Sequence, residues 1–302
     1  MNLRKLIRPV LALIFLIIFS ANSLAEICPG SRIKKAKLDE YDQLSFLTSA
    51  EESQAQKQHA PWGIPTCPRL LPQREYIVCY DTERRVALWV SYTLKRSDIV
   101  PRVRLDAFRS DPRLTGEDNA HCSDYAGSGY DRGHAVPNSD MNRSPEVQGN
   151  TYFLSNMSPQ TPTLNRGMWR WLEESVRTWV RKFGEVHIMT GSVFVGPTHR
   201  LDSGRVAIPR ESYKILVRVD DAGEMHFLSF VLINWNRLPV PPGTQGVSGR
   251  RINATQADTY LKQHLHSIGS ISRLTGLDLF PSLPAENRDQ LERQPSVLWP
   301  KN

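Results

Sequence analysis

Residues 164–183 constrain this chain most, because their apolar side chains share one face only in a helix. Trp169, Leu172, Val176, Trp179, Val180 and Phe183 recur at steps of three and four, and Gly184 follows as a stop. A stripe with two tryptophans needs an apolar cover. Strand patterns on both sides can supply it. Residues 76–80 and 86–93 read as a hairpin around a turn at 81–85. Further strands are expected at 151–155, 186–190, 206–219 (interrupted at Pro209) and 225–233, with a loop at 157–162. A second helix is expected at 255–273, capped by Asn253 or Thr255. There is no internal repeat. The pattern predicts one α+β domain with helices flanking a sheet.

The N-terminus reads differently. Arg4, Lys5 and Arg8 precede an apolar run at 10–19, and Ser23 and Ala25 place small residues before Glu26. That is the order of a secretory signal peptide over 1–25, and the run is short for a membrane span. The expected location is secreted or periplasmic. Cys28, Cys67, Cys79 and Cys122 all lie beyond that segment. An even count in an oxidising compartment predicts two disulfides, with three pairings open. No Cys-x-x-Cys pair favours zinc. Residues 26–74, proline-rich at their end, are expected to be a disulfide-tethered leader wrapping a main domain at 75–302. The formal charge is +7, and +4 without the three signal-peptide cations. Such a balance permits a polyanionic partner without specifying one.

Two motifs carry chemistry. Asp131-Arg132-Gly133-His134 sets an imidazole two residues from a guanidinium, on one face of an extended segment. Gly133 lets the backbone bend or approach a ligand, and Pro137 blocks continuation as a helix. A neutral His134 can take a proton from water while Arg132 stabilises a phosphate, and the cation favours that neutral form. Asn165 and Glu173 lie eight residues apart, a rise of about 12 Å along one helix face. An uncharged amide oxygen suits Mg²⁺, which keeps most of its waters. The plainer alternatives are a helix cap for Asn165, a solvated position for Glu173 and a turn role for Asn156. Arg166 is the helix cation best placed for substrate. Arg170, Arg177, Arg181 and Lys182 fit a solvated helix side equally well.

These motifs, with SNMSPQ at 155–160 and LNRGMWRWLE at 164–173, resemble the DNA/RNA non-specific endonucleases. WVSYTL at 89–94, TGSVF at 190–194, IPRESYKILV at 208–217 and RLTGLDLFPSLP at 273–284 extend the likeness. The resemblance implies a ββα-metal nuclease core within a mostly antiparallel sheet flanked by helices. It implies that His134 is the general base, Asn165 the direct ligand of Mg²⁺ (Mn²⁺ being a candidate substitute) and Glu173 the orienter of metal-bound water. Arg132 and Asn156 would support the phosphate or the geometry. Asp106 stands where some members carry a phosphate-binding arginine, which leaves Arg104 and Arg109 as alternatives. The implied reaction cuts DNA and RNA internally, leaving 5′-phosphates. A phosphodiesterase for small or lipid-linked substrates and a non-catalytic polyanion binder are the competing readings. Oligomeric state is open, a homodimer being one option.

Overall fold

The computed structural model describes residues 25–295 and 297–301. The expected signal peptide lies, apart from Ala25, outside the described residues. Helices α1 (Lys35–Gln43) and α2 (Ser49–His59) precede strands β1 (Arg69–Pro72), β2 (Ile77–Asp81) and β3 (Val86–Lys95). An excursion then carries α3 (Cys122–Tyr125), β4 (Asp131–His134), α4 (Pro145–Asn150), β5 (Met157–Gln160) and α5 (Arg170–Phe183). β6 (Glu185–Val193), β7 (His199–Arg200), β8 (Ala207–Ile208), β9 (Glu211–Val219) and β10 (Met225–Ile233) follow. Helices α6 (Ala254–Gln263), α7 (Ile268–Thr275) and α8 (Ala285–Glu292) close the chain.

Six strands form one antiparallel sheet in the order β1-β2-β3-β6-β9-β10. Alternate residues of each strand face opposite layers. On one side Val78, Tyr80, Val90, Tyr92 and Leu216 pack against Leu172, Val176, Trp179 and Val180 of α5. On the other Ile77, Cys79, Trp89, Tyr213 and Ile215 pack against Ile268 and Ile271 of α7 and against Phe280. The apolar stripe of α5 thus finds its cover in the sheet. β4 and β5 form a separate antiparallel ribbon, which with α5 makes a ββα unit.

Several local expectations are corrected. The strand expected at 151–155 is shifted: Leu154–Asn156 is a 3₁₀ turn and Met157–Gln160 is the strand. Pro159 hid it, but a two-stranded ribbon tolerates a proline opposite Arg132. The helix at 255–273 is two helices. Between them the backbone turns to bond β10, His266 N–H donating to Ser229 O and Val231 N–H to His264 O. Ser267 then caps α7, and Asn253 caps α6 in a capping box with Gln256. The pairings left open are Cys28–Cys122 and Cys67–Cys79. The leader contributes β1 as the sheet's edge strand, and Asp42 of α1 reaches into the body of the fold.

Candidate active site

His134 closes β4, and its backbone is fixed from both sides. The ribbon pairs it with Met157. Just beyond, Ala135 N–H donates to Asn156 O at 2.9 Å and Val136 N–H to Asn156 Oδ1 at 2.9 Å. The Asn156 amide in turn donates to Val136 O at 3.0 Å and Thr151 O at 2.8 Å. Asn156 is fully buried, so it holds the His134 segment rather than touching substrate. Gly133 also has a structural reason. A Cβ there would collide with the Gln160 side chain across the ribbon. The close approach expected of this glycine is to its own partner strand.

The His134 ring lies edge-on to Tyr152, with centroids 5.0 Å apart, and 5.5 Å from Phe108. Burial, then the Arg104 and Arg132 guanidiniums, hold its pKa well below the ordinary 6.5. The imidazole is therefore neutral at physiological pH. Its Nε2 is enclosed without a hydrogen-bond partner. Arg132 stacks its guanidinium 4.0 Å above the Phe108 ring, and Arg104 lies 5.8 Å from the Tyr152 ring. Both arginines line a polar cleft of about 520 Å³, together with Asn165, Arg166 and Asp131.

Asn165 reaches the cleft through an unexpected backbone. Leu164–Trp169 is wound as a π-type turn and breaks helical geometry at Gly167. The regular helix begins only at Arg170. The premise that Asn165 and Glu173 share one face of a straight helix therefore does not hold. Asn165 Nδ2 donates to Asp131 Oδ2 at 2.9 Å, leaving its oxygen as the atom for a cation. Arg166 grips the same carboxylate through Nε and Nη2, at 2.7 and 2.5 Å. Asp131 thus ties β4 to the start of the helix, a role sequence reasoning did not give it, although it stands inside the motif.

Glu173 is half-buried among Lys214, Arg177 and Asp140. Burial raises its carboxyl to about 7 against the pull of those cations. Lys214 is buried in the sheet, donates to Thr190 Oγ1 at 2.6 Å, and is pushed down to about 8 by burial. Arg177 and Tyr92 both donate to Asp140. A single Lys or Asp in an apolar strand or a polar loop gives no sequence signal for such a cluster.

Arg109, a candidate for phosphate contact, is corrected by its burial. It is wholly inaccessible, donates from Nε to Asp42 at 2.7 Å, and also bonds Ala107 O, Gly149 O and Asn150 Oδ1. Arg104 is the upstream arginine that opens on the cleft.

The cleft is suited to a metal ion with few protein ligands. Among the described residues, the acidic and histidine side chains close enough to ring an ion are Asp220, Glu224 and His226, in the β9–β10 turn. No such ring surrounds Asn165. A neutral amide oxygen beside a carboxylate fits a divalent cation that keeps most of its water shell.

A buried neutral histidine packed on Phe108, and a cleft lined by Phe108, Asn165 and three arginines, supply on one ββα unit the groups that phosphodiester cleavage uses. The sequence model of the DNA/RNA non-specific endonuclease family matches residues 57–286, and the chain belongs to that family. It is a non-specific nuclease of DNA and RNA, from a metal-dependent family of hydrolases. Over 242 residues the chain is 28% identical to human mitochondrial endonuclease G, covering 75% of this chain and 74% of that one. It is 32% identical over 189 residues to nuclease C1 of Cunninghamella echinulata, covering 57% and 75%. A Nostoc nuclease is 35% identical over 155 residues, covering 51% and 56%. The fold matches a crystal structure of an EndoG/EndoGI complex with a TM-score of 0.63 at 24% identity, covering 79% of this chain and 95% of that one.

Proposed function

We propose that the protein is an exported Mg²⁺-dependent endonuclease that cuts DNA and RNA internally with little sequence preference. The observation that carries this reading is the neutral His134, enclosed by aromatic rings and flanked by Arg104 and Arg132, in the fold that opens Asn165 onto the cleft both arginines line. With Nε2 enclosed, Nδ1 is the ring nitrogen left to take a proton from the attacking water. Arg132 and Arg104 neutralise the phosphate, and Arg132 is pre-oriented by its stacking on Phe108. Asn165 would hold the Mg²⁺, its amide kept in orientation by Asp131. Bound there, the ion would stabilise charge on the phosphate and the leaving oxygen. Glu173 would orient water of the metal shell from the cluster around Lys214. Mn²⁺ is the expected substitute.

Export is supported by the signal-like order of residues 1–25 and by the two disulfides. No helix of the described residues is long and apolar enough to cross a membrane. We assign the endonuclease domain to residues 75–302 and read 26–74 as a leader bound to it by both disulfides, whose last part, with β1, belongs to the domain's sheet and to the family match.

The test incubates mature wild-type protein and His134→Ala with plasmid and with RNA, in Mg²⁺ or in EDTA. Wild type should cut both polymers, and EDTA or the substitution should nearly abolish cutting. Intact polymers over a range of divalent metals would sink the proposal.

A further inference from the structure

We propose that a groove beside the cleft binds an unpaired nucleobase of the strand whose phosphate occupies the cleft. The inference rests on the nuclease reading and extends it to the form of substrate. The groove measures about 500 Å³, and Phe194, Ile208, Pro209, Arg210 and Trp235 form its walls. Tyr130 lines both the groove and the cleft, so the two are neighbours across one side chain. Trp235 is 51% exposed, an unusual exposure for so large an apolar side chain.

Trp235 is held in register with the metal-ligand segment. Thr161 Oγ1 donates to Trp235 O and Thr163 Oγ1 to Asn236 O, each at 3.1 Å. Thr161 N–H donates to Asn234 Oδ1 at 2.8 Å. Asn234 Nδ2 donates to Pro159 O at 2.9 Å and Pro209 O at 3.0 Å. The Trp235 loop is therefore bonded to β5 and to the residues four and two before Asn165. A ligand spanning both places meets a pre-ordered surface.

The lining specifies the occupant. It contains no carboxylate, and exposed Arg210 supplies a cation at its edge. Arg237 lies 5.8 Å from the Trp235 ring and adds a second. An apolar platform with cations at its edge, next to a phosphodiester cleft, matches a base joined to its phosphate. A base stacked and paired within a duplex cannot offer its face to such a groove. The occupant is thus a base from single-stranded nucleic acid, or one turned out of a helix.

The test compares steady-state cleavage of one oligonucleotide, single-stranded and annealed, by wild type, Trp235→Ala and Trp235→Phe. Trp235→Ala should raise KM on the single strand about 10-fold, the order of one lost stacking contact, with kcat within about twofold. KM on the duplex should move less than about threefold, and Trp235→Phe should recover most of the single-strand KM. If the alanine variant does not fold, Trp235→Leu keeps apolar contact without the π-face and should give the same split. An unchanged single-strand KM while wild type cuts both forms overturns the groove assignment alone. Wild type that cuts neither form overturns the nuclease reading beneath it. A lower mass for Trp235→Ala by light scattering, with KM unchanged, assigns the groove to a second copy and also overturns the proposal.

Discussion

His134 and Arg109 show how burial gives two polar residues opposite fates. Burial keeps His134 neutral, and its ring packs against Phe108, which lines the polar cleft. A base with a lowered pKa is protonated only at lower pH. The acid limb of kcat/KM should therefore fall below pH 6.5, and a pH–rate profile with its acid midpoint at or above 6.5 would contradict the neutral-base role. Arg109 is buried in an ion pair with Asp42. Removing one partner strands the other charge, so Arg109→Ala should lose roughly 3–5 kcal/mol in urea unfolding. Loss below about 1 kcal/mol would show that the pair contributes little. Asn165→Ala should shift the Mg²⁺ activation curve far more than Glu173→Gln does. Superimposable titrations would contradict the assignment of Asn165 as the ligand.

At the scale of elements, the ribbon and the π-type turn aim the site. Gly133→Ala would force Gln160 aside and disturb the strand that presents His134. The Cys28–Cys122 disulfide closes a long loop, with a sequence separation of 94, and Cys122 lines the cleft. Its chain-entropy contribution is roughly 4–5 kcal/mol, against about 3 kcal/mol for a loop the size of Cys67–Cys79. Replacing Cys28 and Cys122 by serine should lower the melting temperature more than the same change at Cys67 and Cys79, and should raise KM. Equal melting shifts would show that loop length does not govern these bridges.

Across the whole molecule, two further histidines are buried neutral, His59 at the end of α2 and His187 within β6 of the sheet. His59 accepts Thr93 N–H at Nδ1 and contacts Arg74 O through Nε2, and burial lowers its pKa to about 4. His187 lies between Ser91 and Thr93 and is lowered to about 3, first by burial. Both folded values lie below the unfolded 6.5, so the unfolded chain binds more protons under acid conditions. Stability should fall as pH drops below 6.5, and His59 alone can account for about 3 kcal/mol by pH 4. Urea unfolding at pH 7 and pH 4.5 measures the slope, and His59→Gln should flatten it. An unchanged slope would exclude His59 as its source.

Elements whose cause is local were legible in the amino-acid order alone. The apolar stripe of α5 and the β2–β3 hairpin follow from periodicity, and the family from the motifs around His134 and Asn165. Whatever depends on partners far along the chain emerged only in the folded protein. The fold selected the disulfide pairs, turned Met157–Gln160 into a strand despite Pro159, and split the last long helix where the backbone bonds β10. It also separated two arginines that look alike in sequence. Arg104 faces the cleft, whereas Arg109, five residues on, is buried because Asp42 lies 67 positions earlier. Burial and charge pairing are properties of the assembled core, so no local pattern at Arg109 could disclose them.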